Sequence, residues 1–306
     1  MKLCQFAVPG AGQRVGLVEG DSVIDITARG EGVTSVLELI RRGRTPAGIE
    51  RLARRLGRGP RRPRQPWSAL DRAPGARRPG LLRPLDPPEI WGAGITYRRS
   101  AEYYTEHDTG HGHREKGIYD HVYESTRPEL FFKATAARSA GPHAPIGLRG
   151  DSKLTAVEAE LACVIGEGGA IVGYTIGNDL SAWDIERENP LFLPQSKIFQ
   201  GSFAFGPVIA TRATVPDPHA LTIRCVIERN GRRLYEGQAR TADMKRRCDE
   251  LVDWLRRYNP VPAGTVLSTG TGILVPDEHA LHPGDVVSIT IEPIGTLRNV
   301  VRALPA

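Results

Sequence analysis

Two glutamates, Glu158 and Glu160, interrupt an otherwise strand-like segment, "TAVEAELACVIG" (residues 155–166). Residues i and i+2 of a strand point to the same face, so the two carboxylates are expected roughly 7 Å apart along the chain. Like charges at that spacing repel each other unless a divalent cation lies between them. Mg²⁺ and Mn²⁺ prefer oxygen ligands and keep coordination positions open for substrate. The spacing therefore indicates a metal site, but it is also typical of a solvated face on an edge strand.

Two charged residues further along the chain extend this candidate site. Asp179 follows a predicted strand in the turn "GYTIGNDLS" (173–181), where it would supply a third carboxylate. Lys197, in "LPQSKIFQ" (193–200), would balance the charge of a substrate or transfer a proton. The alternative for Lys197 is an ordinary surface lysine, because lysine side chains are mostly exposed.

Strand patterns dominate from Ile90 onward, and these strands would position the candidate residues. The predicted strands include residues 129–134, 159–166, 170–179, 203–212 and 285–295. Asn230-Gly231 predicts a hairpin with a type I′ turn, in which both residues have positive φ. Helical patterns cover residues 34–43, with Thr34 as N-cap and Gly43 just beyond the end, and residues 96–107, 114–125 and 243–257. The pattern predicts a strand-rich α+β or mixed-β fold.

The composition limits the class of protein. The chain has 306 residues, of which 40% are hydrophobic and 25% charged, as in ordinary globular proteins. It contains no run of 18 apolar residues, and its first residues lack the apolar region of a secretory signal. Four cysteines are scattered without metal-binding spacing. We therefore expect a reduced, cytoplasmic protein with no membrane partner.

The net charge of +6 is concentrated in one segment. Residues 51–83 hold eleven arginines and one acidic residue, which gives a local net charge of +10 and leaves −4 for the rest of the chain. We interpret this Arg/Pro-rich segment as a solvated connector, with polyanion binding as the alternative. The acidic remainder argues against a nucleic-acid partner. The segment predicts two domains, an N-terminal α/β extension with its connector (residues 1–83) and a catalytic domain (residues 84–306).

Seven segments, in this order over about 210 residues, together resemble the fumarylacetoacetate hydrolase family. They are "EIWGAGITY", "RPELFFKA", "EAELACVIG", "GYTIGNDLSA", "PQSKIFQGSFAFGPVI", "LSTGTG" and "HPGDVVSITIEPIGTLRN". Within the family the chain is most similar to the 2-keto-3-deoxy-D-arabinonate dehydratase branch, through "RPELFFKAT", the acidic turn "DIERENPLFLPQSK" and the N-terminal extension. The resemblance implies a strand-rich, mixed β-fold of the family type with a smaller N-terminal domain.

The resemblance also implies roles for individual residues. Glu158, Glu160 and Asp179 match the family's ligands for Mg²⁺ or Mn²⁺. Glu129 and Lys197 match catalytic residues near the metal, and Thr271, Gln195 and Ser181 match substrate-binding positions. Glu129 is otherwise a charge at the start of a strand, and Thr271 is otherwise a turn hydroxyl that bonds its own backbone.

Two positions depart from the family pattern. In the segment Thr96–Ser100, Ser100 stands where the family's C–C hydrolases carry a histidine that helps to activate water. Trp183 stands where the family usually has an arginine, and an indole offers no guanidinium fork to an anion. Either Arg187 takes over that function or the substrate differs. The missing histidine favours a lyase over a hydrolase.

A histidine-rich tract, "TEHDTGHGHREKGIYDH" (105–121), precedes the first of the catalytic strands. Its glycines favour a lid loop over the active site, and a transition-metal site is the alternative.

The activity that the resemblance implies is a metal-dependent dehydration. A 2-keto-3-deoxy sugar acid such as 2-keto-3-deoxy-D-arabinonate would give 2,5-dioxopentanoate and water, with Glu129 or Lys197 removing a proton from C3. The alternative is a metal-dependent C–C hydrolase or decarboxylase of an acylpyruvate or an oxaloacetate-like 2-oxo acid. The expected partners are this small-molecule substrate and further copies of the chain, as a homodimer or homotetramer.

Overall fold

The computed structural model describes residues 1–27, 32–59, 62–107 and 117–305. The centre of the histidine-rich tract, predicted to form a lid loop, lies outside these residues. Among the described residues, no helix is both long enough and apolar enough to cross a membrane.

The elements follow the chain in this order. The strands are β1 (Lys2–Val8), β2 (Gly12–Glu19), β3 (Ser22–Asp25), β4 (Arg64–Pro66), β5 (Gly80–Leu81), β6 (Ile90–Gly94), β7 (Glu129–Ala134), β8 (Ser139–Ala140), β9 (Pro145–Leu148), β10 (Thr155–Ala156), β11 (Ala159–Ile165), β12 (Ile171–Asp179), β13 (Ser181–Ala182), β14 (Phe203–Thr211), β15 (Thr222–Arg229), β16 (Arg232–Arg240), β17 (Val266–Ser268), β18 (Val286–Ile291) and β19 (Gly295–Ala303). The α-helices are α1 (Val36–Gly43), α2 (Pro46–Gly57), α3 (Trp67–Leu70), α4 (Arg98–His107), α5 (Ile118–Glu124), α6 (Trp183–Glu188), α7 (Leu193–Lys197) and α8 (Cys248–Arg256). Short 3₁₀ helices cover Ala136–Arg138, Glu167–Gly169, Pro190–Phe192, Thr241–Asp243 and Asp277–His279.

The largest sheet has the strand order β4-β3-β2-β1-β14-β12-β11-β17-β6-β7, with β5 beside β1 and β8 beside β14. A second sheet has the order β16-β15-β18-β19-β9, and β10 pairs with β13. The strand-rich class predicted from the sequence is confirmed.

Strand β1 pairs antiparallel with β14, so the N-terminal strands continue the sheet of the catalytic part. The domain boundary at residue 83 stays a prediction.

The centre of the large sheet is buried on both faces. Every residue of β11, β12 and β14 is buried, which explains their nearly continuous apolar sequences. Strand β18 instead alternates buried and partly buried residues, as in a sheet with one face toward the core. The predicted hairpin between β15 and β16 is confirmed, because Asn230 has φ 53° and Gly231 has φ 73°.

The N-terminal helices differ from the sequence prediction in three details. Gly43 was predicted just beyond the end of α1, but it is the last residue of that helix. The N-cap of α1 is Ser35, whose side chain accepts the backbone N–H of Glu38, so the prediction of Thr34 was wrong by one residue. Helix α2 extends into the segment that was predicted to be a solvated connector. Ile49, Ala53 and Leu56 recur at helical spacing and are buried, and the arginines between them remain on the outer face.

Strand register brings the ends of five neighbouring strands to one edge of the large sheet. Strand β11 begins beside the end of β12, where Ala159 pairs with Asn178. Strand β17 runs parallel to β6 and antiparallel to β11. Strand β7 begins opposite the end of β6, where Gly94 pairs with Glu129. The predicted carboxylates Glu129, Glu158, Glu160 and Asp179 lie at these ends or directly beside them, whereas Lys197 and Gln195 lie on α7.

Candidate active site

The three predicted metal ligands converge at this edge of the sheet. Glu158, Glu160 and Asp179 each offer a carboxylate oxygen, and these oxygens all lie within 4.8 Å of one another. Their exposed fractions are 5%, 1% and 1%. Because the three carboxylates are buried, the alternative of a solvated strand face is wrong. Buried carboxylates this close together need a compensating positive charge.

The end of β17 and the loop that follows it orient Glu160. The Oε2 atom of Glu160 accepts hydrogen bonds from Ser268 Oγ at 2.5 Å and from the backbone N–H of Gly270 at 2.7 Å. Burial raises the pKa of Glu160 well above its usual range, and the charges of Asp179 and Glu158 raise it further. A divalent cation at this position would supply the charge that keeps Glu160 ionised.

Glu158 is held by one cation and one indole. Lys197 Nζ donates to both oxygens of Glu158, at 3.0 and 2.9 Å, and Trp183 Nε1 donates to Oε1 at 2.9 Å. Burial acts to raise the pKa of Glu158, but Lys197 and the hydrogen bond from Trp183 outweigh it and lower the pKa. Glu158 therefore remains a carboxylate in this environment.

Asp179 contacts a buried lysine that the sequence analysis missed. Lys133, in β7, has an exposed fraction of 0% and lies 2.5 Å from Asp179 Oδ1. Its Nζ also donates to the backbone carbonyls of Leu180 at 2.7 Å and of Lys197 at 2.6 Å. Burial raises the pKa of Asp179, and the Lys133 and Lys197 charges oppose that shift. The signal in the sequence was a lysine inside the apolar strand "ELFFKA".

Lys197 lies among these carboxylates and not on the surface, so the surface interpretation is wrong. Its Nζ donates to Ser181 Oγ at 2.6 Å and lies 3.8 Å from Asp179 and 3.9 Å from Glu186. Burial acts to lower the pKa of Lys197, but Asp179, Glu158 and Glu186 raise it well above its usual range. Ser181 was predicted to bind substrate, but its hydroxyl contacts Lys197 and the Asp179 carbonyl.

A cavity opens beside the carboxylate cluster. Its polar lining includes Ser100, Glu129, Glu158, Glu186, Lys197 and Thr271, and its apolar lining includes Ala93, Ile95, Phe131 and Leu193. The structure therefore brings Glu129 and Thr271 to the same cavity as Lys197 and Glu158. Thr271 Oγ1 donates to the carbonyl of Ala159 at 3.0 Å and accepts the backbone N–H of Ile273 at 3.1 Å, so it also makes the local turn bond that was the alternative for this residue. Gln195 is exposed in the middle of α7 and is not among the residues that line the cavity.

Glu129 faces the cavity from the start of β7, directly opposite Gly94. A Cβ atom on Gly94 would lie 2.0 Å from Glu129 Oε2, so only glycine leaves room for the carboxylate there. Burial raises the pKa of Glu129, the Lys197 charge lowers it, and the charges of Glu158 and Asp179 raise it. A raised pKa makes Glu129 a stronger base than an ordinary glutamate.

The two departures from the family pattern have structural explanations. Ser100 is buried, and its Oγ donates to the carbonyl of Thr271 at 2.6 Å. Trp183 occupies the expected arginine position and supplies one hydrogen-bond donor to Glu158. Arg187 does not replace that arginine in the cavity. It pairs with Asp277 at 2.6 Å and lies over the indole of Trp183, 5.2 Å from the ring centroid.

Glu186 is a second cavity residue that the sequence analysis missed. It lies on α6, three residues after Trp183, and has an exposed fraction of 5%. Burial raises the pKa of Glu186 to about 7. The available signal was its i, i+3 relation to Trp183, which places both side chains on the same side of the helix.

Comparison with known proteins agrees with this geometry. The family described as "Fumarylacetoacetate (FAA) hydrolase C-terminal" matches residues 89–302. A 2-dehydro-3-deoxy-D-arabinonate dehydratase of Saccharolobus solfataricus is 46% identical over 222 residues, which cover 72% of this chain and 74% of the relative. A probable 2-keto-3-deoxyxylonate dehydratase of Haloferax volcanii is 44% identical over 218 residues, which cover 71% of this chain and 73% of the relative.

A solved structure of 2-keto-3-deoxy-D-arabinonate dehydratase, complexed with magnesium and 2,5-dioxopentanoate, shares the fold. Its TM-score against this chain is 0.83 at 35% identity, and the comparison covers 100% of both chains. The fold expected from the sequence resemblance is thereby confirmed.

Proposed function

The chain belongs to the fumarylacetoacetate hydrolase family, and we propose that it is a magnesium-dependent dehydratase. It converts a 2-keto-3-deoxy sugar acid, such as 2-keto-3-deoxy-D-arabinonate, to 2,5-dioxopentanoate and water. The observation that carries this proposal is the convergence of Glu158, Glu160 and Asp179 beside Lys197, in a chain so similar to two dehydratases.

The carboxylate cluster matches the chemistry of the proposed metal. Glu158, Glu160 and Asp179 would hold Mg²⁺, or Mn²⁺ as the alternative, because these hard cations prefer carboxylate oxygens. When bound there, the ion supplies Lewis-acid activation of a 2-oxo acid, which makes the C3 protons more acidic.

Residues of the chain perform the proton transfers and the positioning. Glu129 accepts a proton from C3, for which its raised pKa suits it better than an ordinary glutamate. Lys197 lines the cavity, and the neighbouring carboxylates raise its pKa well above the usual range, so it stays an ammonium group. Its positive charge, held in place by hydrogen bonds to Glu158 and Ser181, stabilises negative charge on the substrate. Thr271 lines the cavity near the metal ligands and positions the substrate.

The alternative activities differ in the bond that is broken. The C–C hydrolase is disfavoured, because Ser100 takes the histidine position and the described lining of the cavity contains no histidine. Decarboxylation requires little beyond a metal and a 2-oxo acid, and it remains the alternative. A cytoplasmic location and a homodimeric or homotetrameric assembly stay predictions; the four free, buried cysteines support the first.

One assay tests the proposal. The D and L forms of 2-keto-3-deoxypentonate are supplied with Mg²⁺ or with EDTA, and both 2,5-dioxopentanoate and pyruvate are measured. We expect 2,5-dioxopentanoate only in the presence of the metal, with a preference for one epimer. Release of CO₂ from oxaloacetate, with no dehydration of either pentonate, would support the decarboxylase instead. Activity unaffected by EDTA would contradict the metal site.

A further inference from the structure

Glu186 is a buried carboxyl group of the cavity, and the proposed reaction described above gives it no role. We propose that Glu186 is the general acid that protonates the C4 hydroxyl of the substrate as this group leaves. This inference rests on the proposed function, and it assigns the step that removal of the C3 proton alone does not complete. Hydroxide is a poor leaving group, so the C4–O bond needs a proton donor when it breaks.

The position of Glu186 is fixed by its neighbour on the same helix. Trp183 is fully buried and its indole is bonded to Glu158, so α6 is anchored against the carboxylate cluster. Glu186 follows on the same side of α6 and lines the cavity beside Glu129 and Lys197. Glu186 is thus held near the metal ligands without belonging to the group whose oxygens converge within 4.8 Å.

Within the part of the chain that the structure describes, the contacts of the Glu186 carboxyl group are long. Ser196 Oγ donates to Glu186 Oε2 at 3.4 Å, which is long for an O–H···O bond, and Lys197 Nζ lies 3.9 Å away. A carboxyl group with such weak contacts remains available to a substrate hydroxyl. Glu129 lines the same cavity, so two carboxyl groups are available to one bound substrate.

The charge balance favours a proton on Glu186. The carboxyl groups at the cavity and its metal cluster are the partly buried Glu129 and the buried Glu158, Glu160, Asp179 and Glu186, and the buried lysines are Lys133 and Lys197. Fully ionised, these groups carry a formal charge of −3, and a divalent cation with a monocarboxylate substrate would bring it to −2. Burial raises the pKa of Glu186 to about 7; Lys197 on α7 lowers this pKa, and Glu158, Glu129 and Asp179 raise it. Retention of a proton relieves part of this excess charge.

The two carboxyl groups complete a balanced reaction. Glu129 takes the C3 proton, and the electron pair of the C3–H bond forms the C3=C4 double bond. The C4–O bond breaks toward oxygen, Glu186 supplies a proton, and water leaves. The Glu186 carboxylate then removes a proton from C5, protonated Glu129 returns a proton to C3, and both groups are restored. The resulting C4=C5 enol takes a proton at C4 and loses its hydroxyl proton, which gives the aldehyde of 2,5-dioxopentanoate.

The test combines a substitution of Glu186 with a substrate analogue in which fluoride replaces the C4 hydroxyl as leaving group. Glu186→Gln keeps the shape of the side chain but cannot donate a proton, and Glu188→Gln, at an exposed position of α6, is the matched control. Each variant and the wild type are given 2-keto-3-deoxy-D-arabinonate and its 4-fluoro analogue, 2-keto-3,4-dideoxy-4-fluoropentonate. Fluoride is a weak base and leaves without a proton donor. Formation of 2,5-dioxopentanoate, release of fluoride and exchange of C3 protons in D₂O are measured with Mg²⁺.

We expect Glu186→Gln to slow turnover of the hydroxyl substrate by about 10²–10⁴-fold, whereas fluoride release falls by less than about tenfold. C3 exchange should persist, and Glu188→Gln should match the wild type. Equal loss with both leaving groups would overturn the assignment, because a structural defect impairs both reactions alike. Undiminished turnover of the hydroxyl substrate would also overturn it. A wild type that exchanges C3 protons but eliminates neither group would refute the proposed function itself.

Discussion

Trp183 Nε1 donates a 2.9 Å hydrogen bond to Glu158 Oε1, one of the three converging carboxylates. The indole therefore keeps one donor contact to the carboxylate at a position where the family usually has an arginine. It brings no positive charge, so Lys197 is the cation that faces Glu158 directly. Arg187 lies over the indole and is paired with Asp277. The substitution thus changes the charge around the proposed metal without leaving Glu158 unsupported.

We expect Trp183→Phe to weaken Mg²⁺ binding by about 10–100-fold, because it removes a hydrogen bond that orients a metal ligand. Isothermal titration calorimetry of the metal-free protein measures the affinity directly. Trp254→Phe, at a partly buried position on α8, controls for the loss of an indole elsewhere. An unchanged affinity in Trp183→Phe would show that the indole acts only through packing.

Glu158→Gln should abolish turnover and Mg²⁺ binding together, because Glu158 is one of the three converging carboxylates. The wild type should gain about 2.7 kcal/mol of stability at a Mg²⁺ concentration of 100 times its Kd, and the variant should gain none. Unfolding by urea, with and without Mg²⁺, measures this difference. Glu167→Gln, at an exposed position, should behave as the wild type. Full activity in Glu158→Gln would remove the basis for the metal assignment.

Lys133→Met should destabilise the fold by about 3–5 kcal/mol, because it leaves Asp179 as a buried carboxylate without its closest cation. It also leaves the carbonyls of Leu180 and Lys197 without their donor. Urea unfolding in EDTA measures the change apart from any effect of metal. Lys153→Met, at an exposed position, should stay within about 0.5 kcal/mol of the wild type. Equal stabilities of the two variants would contradict a structural role for Lys133.

The sequence was sufficient to locate the three carboxylates because their signal is local. Glu158 and Glu160 are two residues apart at the start of an apolar strand, and Asp179 ends the next one. The contacts of Lys133 and Trp183 join residues that are far apart in the chain, so no spacing pattern contains them. For Glu186 the sequence offered only the i, i+3 relation to Trp183, and it is the packing of α6 that places Glu186 in the cavity.

Other differences between the predicted and the observed structure arose where the sequence is compatible with two local structures. Thr34 and Ser35 are adjacent hydroxyl residues, and either type is a good N-cap. Ser35 takes that position, and the Thr34 hydroxyl and backbone N–H bind Glu38 instead. The arginines after Ile49 suggested a solvated connector by composition, but three apolar residues at helical spacing are sufficient to bury one face of α2. The burial of these apolar residues therefore determined a helical structure that the composition alone did not predict.

Turnover of the hydroxyl substrate should fall as the pH rises above about 7, since Glu186 must carry a proton and burial raises its pKa to about 7. Turnover should also fall on the acidic side, where Glu129 becomes protonated; its raised pKa places this limb above that of an ordinary glutamate. The profile of kcat against pH measures both limbs. In Glu186→Gln the alkaline limb should disappear while the acidic limb remains. An alkaline limb with the same midpoint in this variant would assign it to another group.

Gly94→Ala should impair the proposed base while leaving the metal ligands in place. The added Cβ would lie 2.0 Å from Glu129 Oε2, so the carboxylate must move, and a displacement of about 1 Å can cost about 10²-fold in rate. Gly94 does not have positive φ, so its backbone conformation accepts alanine. We expect turnover and C3-proton exchange in D₂O to fall together by about 10²-fold, with Mg²⁺ affinity within about twofold of the wild type. Gly150→Ala, where a Cβ meets nothing within 4 Å, is the control. Exchange that persists in Gly94→Ala would transfer the role of base from Glu129 to another residue of the cavity.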